Sequence, residues 1–189
     1  MYMSWKVDNA HTSLEFSARH MMVSTVRGHF NDFSGEVEID PQDLTRSWAK
    51  AVIQVGSIDT REERRDAHLR SADFFDVEKF PVITYQSGKI ESRGDNRFLV
   101  EGELIIKDVT RKIELELEFL GLESSPYGFK VAGFEATGKL SREDFGLTWN
   151  VALETGGWMV GDEIKLRIDA EADEVVEAPA EAAAAATTA

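Results

Sequence analysis

Residues Ile113-Glu114-Leu115-Glu116-Leu117-Glu118-Phe119 alternate apolar and acidic side chains without a break. A period of two places Ile113, Leu115, Leu117 and Phe119 on one face of an extended strand and three glutamates on the other. Ile164-Lys165-Leu166-Arg167-Ile168-Asp169-Ala170 repeats the pattern near the C-terminus. Further strands are expected at 4–7, 12–19, 34–39, 49–57, 82–91, 97–106 and 128–140. The segments between them carry turn chemistry: Asp8-Asn9, Arg93-Gly94-Asp95-Asn96 and Ser124-Ser125-Pro126-Tyr127-Gly128. Connections this short imply antiparallel neighbours. Many antiparallel strands with one charged and one apolar face predict an all-β barrel or sandwich, and closure removes the edges that invite aggregation. A barrel of about eight strands is just wide enough to fill with side chains or to hold one small ligand. Gly102, Gly133 and Gly138 sit inside strand patterns and mark bending or close backbone approach.

Two segments break the alternation. Residues 61–72 are charged and rich in helix formers, with Thr60 expected as the N-cap and Glu63 completing a capping box. Within this helix, Arg65 and Asp66 are expected to pin it to the barrel by hydrogen bonds; recognition of a polar head group by Arg65 or His68 is the competing role. Residues 20–26 read as a helical turn leading to Gly28.

Composition narrows the function classes. The 189 residues include no cysteine, so disulfides, zinc-thiolate sites and thiol nucleophiles are excluded. The net charge of −14 argues against nucleic acid, whose phosphates require a basic face. No apolar run approaches the roughly 20 residues of a membrane helix. The N-terminus lacks a charged region followed by an apolar one, which predicts a cytoplasmic protein. From Glu171 onward the chain turns acidic and Ala-rich, ending Ala182 to Ala186 and Thr187-Thr188-Ala189. The expected organisation is one barrel domain over 1–174 and a disordered acidic tail over 175–189.

The sequence offers little for catalysis or metal binding. It has no Gly-x-Ser-x-Gly elbow, phosphate-binding loop or dinucleotide fingerprint, so no catalytic residue is assigned. His11, His20, His29 and His68 form no ligand motif, although His20 and His29 could approach each other across a turn. No metal site is assigned. The outward glutamates of 113–119 read as a solvated face.

Four blocks, in order, resemble the YceI-like family of polyisoprenoid-binding proteins. The first runs from Trp5-Lys6-Val7-Asp8 through His20 to Arg27-Gly28-His29-Phe30. The second is Ser57-Ile58-Asp59-Thr60 with Arg65-Asp66-Ala67-His68-Leu69-Arg70-Ser71-Ala72-Asp73-Phe74-Phe75-Asp76 and Phe80-Pro81. The third is Gly102-Glu103-Leu104-Ile105-Ile106-Lys107-Asp108-Val109-Thr110-Arg111, and the fourth runs from Ala132-Gly133-Phe134 to Phe145-Gly146-Leu147. The resemblance implies a lipocalin-like eight-stranded antiparallel β-barrel with one inserted α-helix. It implies an apolar channel holding a polyisoprenoid, an isoprenoid quinone or a similar amphiphile, for carriage or storage, in a homodimer. No cofactor is required beyond that bound lipid.

The apolar strand faces would line such a channel, because a hydrocarbon chain then leaves water without stranding polar groups. Without the resemblance, a solid core is the favoured explanation of the same faces. The expected ligand-binding residues are Leu14, Phe16, Ala18, Val26, Ile53, Leu104, Ile113, Leu115 and Leu117 on the walls, with the aromatics Phe30, Phe74 and Phe134 near strand ends. A head group is expected near His20, Trp149 and Trp158, and Gly156-Gly157 between the two tryptophans suits a lid. An enzyme acting on a small hydrophobic substrate inside the barrel and a ligand-free stress or interaction protein are the alternatives.

Overall fold

In the computed structural model, which describes residues 3–175, the alternating segments become strands that pair only with antiparallel neighbours. Along the chain these are β1 (Met3–Val7), β2 (Ser13–His20), β3 (Ser24–Phe30), β4 (Phe33–Ile39), β5 (Trp48–Gln54) and β6 (Ile58–Asp59). After helix α1 (Glu63–Arg70) come β7 (Val82–Gly94), β8 (Arg97–Ile106), β9 (Val109–Ser124), β10 (Lys130–Ser141) and β11 (Val160–Glu174). Residues 176–189, nearly all of the expected acidic tail, lie outside the described residues.

Three pairs of short strands are each one line of a barrel. Val7 of β1 faces Ala172 and Ser13 of β2 faces Asp169, so both strands lie along β11 and residues 8–12 loop outward between them. In the same way β3 pairs with β2 and β4 with β1, while β6 pairs with β3 and β5 with β4. Eight strand lines therefore follow one another in chain order, and β11 closes on the first. The described residues thus form a closed, eight-stranded antiparallel barrel with one α-helix, as the resemblance implies, and as one of the two forms, barrel or sandwich, that the alternation allows.

Inside, side-chain size varies along the axis. A Cβ on Gly102 would sit 2.5 Å from the Tyr85 ring, and one on Gly138 would sit 2.6 Å from Leu115 Cδ2, so both glycines make room for a large neighbour. The half of the barrel that carries α1 is filled by Val55, Phe74, Ile83, Leu104, Ile106, Ile113, Phe145 and Leu147. At the other end Trp5, Ile39, Ala132 and Ala172 form a small second cluster.

Two local expectations are corrected. Residues 20–26 are not helical: Val23 N donates to His20 O at 3.2 Å, and β3 starts at Ser24. Met21 and Met22, at φ 49° and 63°, occupy the left-handed positions of a tight hairpin turn. That turn follows the twist of the strands but favours Asn-Gly, so its methionines concealed it. Replacing Met21-Met22 with Asn-Gly is expected to raise stability by about 1–2 kcal/mol, read as a higher urea midpoint at unchanged slope.

The helix cap is also different. Glu62, not Thr60, is the N-cap, and its carboxylate accepts from Arg64 N and Arg65 N. Thr60 is buried instead, donating from N and Oγ1 to Asp66 Oδ1 at 2.9 and 2.5 Å. Arg65 donates to Thr60 Oγ1 and O at 2.7 and 2.8 Å, and Arg70 to the carbonyls of Gly56 and Ile58. Arg65 and Asp66 thus hold α1 to the barrel, the role favoured from sequence.

Candidate ligand cavity

Between the filled half and the Trp5 cluster, small inward residues leave space. Gly35, Ala49, Ala51, Ala136 and Ala170 are among the residues that line a cavity of about 190 Å³ there. All eight strand lines contribute to its wall, with Phe33, Val37, Phe98, Val100, Leu115, Leu117, Phe119, Phe134 and Ile168 as the main apolar groups.

Few polar atoms face this space. The Tyr85 hydroxyl is buried and has no hydrogen-bond partner among the described residues. Burial pushes its pKa up to about 12, so it is a protonated donor at neutral pH. Ser87, two residues on and buried, accepts from Ala49 N at 2.8 Å. Lys50, between the inward Ala49 and Ala51, touches the interior through its backbone, while its ammonium is on the outer face and pairs with Glu36 at 2.9 Å.

Four of the sequence-derived candidates meet at the cavity: Leu14, Leu115, Leu117 and Phe134. Phe30, Ile53, Phe74, Leu104 and Ile113 belong to the packed half beyond it. Phe16 packs there too, its ring 5.6 Å from that of Phe30 and against the bare backbone of Gly28. Ala18 and Val26 face each other near the hairpin, and His20 ends β2 opposite Ser24. Trp149 meets His68 edge-to-face and lies tilted against Phe74, with ring centroids 4.6 and 5.4 Å away, while Trp158 is exposed. The trio expected to meet a head group therefore lies at the helix-bearing end, away from the cavity. Tyr85, Ser87, Phe98, Val100 and the small residues of β4 and β5 were not singled out from sequence.

The Gly156-Gly157 segment is anchored at its base. Arg142, only 3% exposed, donates to the carbonyls of Gly161, Trp149 and Val160 at 3.0, 3.1 and 3.3 Å, and also to that of Leu147. Gly156 and Gly157, at φ 86° and 94°, form the tip beside exposed Trp158.

The histidines stay apart. His20 and His29 are five residue pairs distant along the β2–β3 ladder, about 17 Å, and His29 lies 3.6 Å from Asp59 instead. At the 8–12 loop, His11 Nδ1 lies 2.6 Å from Asp8 Oδ2 and 3.6 Å from Glu171 Oε1. These three residues bring potential ligand atoms within 4.8 Å of one another, which sequence spacing did not reveal because Glu171 comes from β11. The hydrogen bond to Asp8 raises the His11 pKa above its ordinary 6.5, and the same bond lowers that of Asp8 below 3.8. A raised histidine stabilises the fold below its unfolded value and loses that contribution as pH rises through the folded one. A lowered aspartate contributes above its unfolded value and loses it as pH falls. The contact is therefore strongest from about pH 4 to 6.5. Asp8→Asn is expected to lower the His11 midpoint in an NMR titration.

Comparison with known proteins supports the reading from sequence. Residues 5–172 match the YceI-like domain. The chain belongs to the YceI-like family. A UPF0312 protein of Staphylococcus aureus is 41% identical over 165 residues, covering 87% of this chain and 94% of that protein. The YCEI protein of Campylobacter jejuni superposes with TM-score 0.71 at 31% identity, over 82% of this YceI-like chain and 89% of the other. BcnA of Burkholderia cenocepacia superposes with TM-score 0.75 at 22% identity, over 87% and 98%. A polyisoprenoid binding domain of Saccharophagus degradans has TM-score 0.64 at 14% identity, over 91% and 99%. These last two likenesses concern the fold alone. Among the described residues, no helix is long and apolar enough to cross a membrane.

Proposed function

We propose that this chain binds a long-chain isoprenoid, such as a quinone or polyprenyl precursor, or a similar amphiphile, noncovalently within the barrel, for carriage or storage. The observation that carries the reading is the apolar cavity of about 190 Å³ walled by all eight strand lines. Hydrocarbon entering it gains about 25 cal/mol for each Å² removed from water. The volume is below the roughly 300–1,000 Å³ of pockets that enclose a whole drug-sized ligand. The cavity therefore suits one end of a long molecule, with the remainder running beyond it. The name of the Saccharophagus degradans domain supports the ligand class through the shared fold.

Binding is favoured over catalysis by the same walls. Tyr85 is the cavity-facing group with a displaced pKa, and burial moves it away from the range useful to a general base at neutral pH. A homodimeric, cytoplasmic protein is part of the proposal.

The test is native purification, native mass measurement and mass spectrometry of an organic-solvent extract. A stoichiometric isoprenoid or other long amphiphile is the expected result. An empty, folded protein that also refuses added quinones would defeat the reading. The native mass separates monomer from dimer, and fractionation of the source cells tests the location.

A further inference from the structure

The β2–β3 turn and the 150–159 segment project side by side from the helix-bearing end of the barrel. Met21 N donates to Met159 O at 2.8 Å, and a Cβ on Gly157 would lie 3.6 Å from Met22 Cγ. Both tips end in apolar side chains: Met21, Met22, Val23, Val151 and Trp158 are 40–83% exposed. Exposed this far, they take little of the burial that stabilises a core. Methionine also holds the two left-handed turn positions at a cost that Asn-Gly would not carry. Contact with an apolar partner offsets that cost.

Size and charge select the partner. Five side chains on two tips are too few for a stable protein interface, which takes about 20–30 residues a side. The backbone already suits an apolar medium, since Val23 N donates to His20 O, Met159 N to Val151 O and Leu153 N to Gly157 O. Tryptophan favours the level between head groups and acyl chains. Residues 21–26 carry no charge, and Glu154 is the one charged residue of 145–161. Behind the tips the signs are mixed. Arg19 and Arg27 are exposed on the outer face of the β2–β3 ladder, and Glu143, Asp144 and Asp162 gather beside the other loop. Such a ring matches zwitterionic head groups, whereas an anionic surface repels a chain of net charge −14. We infer that this tip docks the protein on a zwitterionic phospholipid bilayer, with the five apolar side chains inserted. Docking is independent of the lipid-cavity reading, because it needs no ligand inside the barrel.

Flotation of the full chain with phosphatidylcholine vesicles tests it. The parent is expected to float, to stay bound at about 0.5 M salt, where surface charge is screened, and to bind phosphatidylglycerol vesicles more weakly. Tryptophan emission is expected to shift to the blue on phosphatidylcholine, and Trp158→Phe to remove that shift. The other indoles are placed elsewhere: Trp5 is buried, Trp48 donates to Glu38, and Trp149 packs on His68 and Phe74. Met21-Met22→Asn-Gly is expected to melt no lower than the parent and to partition about tenfold more weakly. A parent that stays in the lipid-free fraction, an Asn-Gly variant that floats as the parent does, or binding confined to phosphatidylglycerol and abolished by salt would overturn the docking. A parent dimer that the Asn-Gly change splits, with no flotation, would assign the tip to a second copy of the chain instead. Flotation of a parent whose solvent extract holds no lipid supports docking and counts against the cavity reading alone.

Discussion

Arg142→Met is expected to lower the unfolding free energy by about 3–5 kcal/mol, because four backbone carbonyls lose their shared donor at once. Methionine has similar length and fills the space, so the change isolates the donors. The guanidinium reaches four carbonyls, from Leu147, Trp149, Val160 and Gly161. Its nearest carboxylate, Glu143, is 3.8 Å away and half in solvent, so the carbonyls rather than an ion pair hold the charge. Removing the donors strands those oxygens, each costing about 1–3 kcal/mol where water cannot enter. A domain of this kind is stable by only about 5–15 kcal/mol. Arg142→Lys is expected to recover less than half of the loss, because an ammonium cannot reproduce the planar fork. Urea unfolding measures all three proteins. A methionine variant within about 1 kcal/mol of the parent would show that the loop over 143–159 holds itself.

The barrel was legible because its faces are chemically unlike. The glutamates between Ile113 and Phe119 alternate with apolar groups, and β9 forms there with Ile113 and Leu115 buried and all three glutamates exposed. The first hairpin was not legible, because Met21 and Met22 hold left-handed conformations that methionine rarely adopts. The two-residue β6 is too short for any period to show.

Position along the barrel axis is a different kind of information. Alternation tells which side chains point inward, not at which level they meet. Phe16 and Leu14 share a face of β2, yet one packs on Phe30 and the other lines the cavity. The difference comes from partners far away in sequence. Gly35, Ala49, Ala51 and Ala136 gather in one half, while Phe74, Leu104 and Phe145 fill the other. Only the strand register brings these residues to a common level. Tyr85 escaped notice for a further reason: both faces of residues 83–87 carry polar groups, with Tyr85 and Ser87 inward and Thr84 and Gln86 on the other side.

Leu117→Asp is the corresponding test of function and is expected to cut bound lipid to less than a tenth of the parent's. Leu115 is the poorer site to change, since it is buried at 6% exposure and packs on bare Gly138, so its loss tests folding as much as binding. Leu117 lines the same cavity but is half-buried, and its register partners Phe98 and Ala136 leave room for a shorter side chain. A carboxylate there faces apolar groups, and desolvation raises its pKa above the unfolded value of about 3.9. The destabilisation therefore grows as pH rises through that range, and lipid binding recovers as pH falls and the group becomes neutral. Glu116→Gln, one residue away on the outer face, is expected to change stability by no more than about 0.5 kcal/mol and to retain the lipid. If folded Leu117→Asp still carries stoichiometric lipid at pH 8, the ligand lies elsewhere and the cavity is only a packing defect. If the aspartate variant is empty at pH 8 and refills in acid while Glu116→Gln stays loaded, the wall formed by β8, β9 and β10 is in contact with the chain of the lipid.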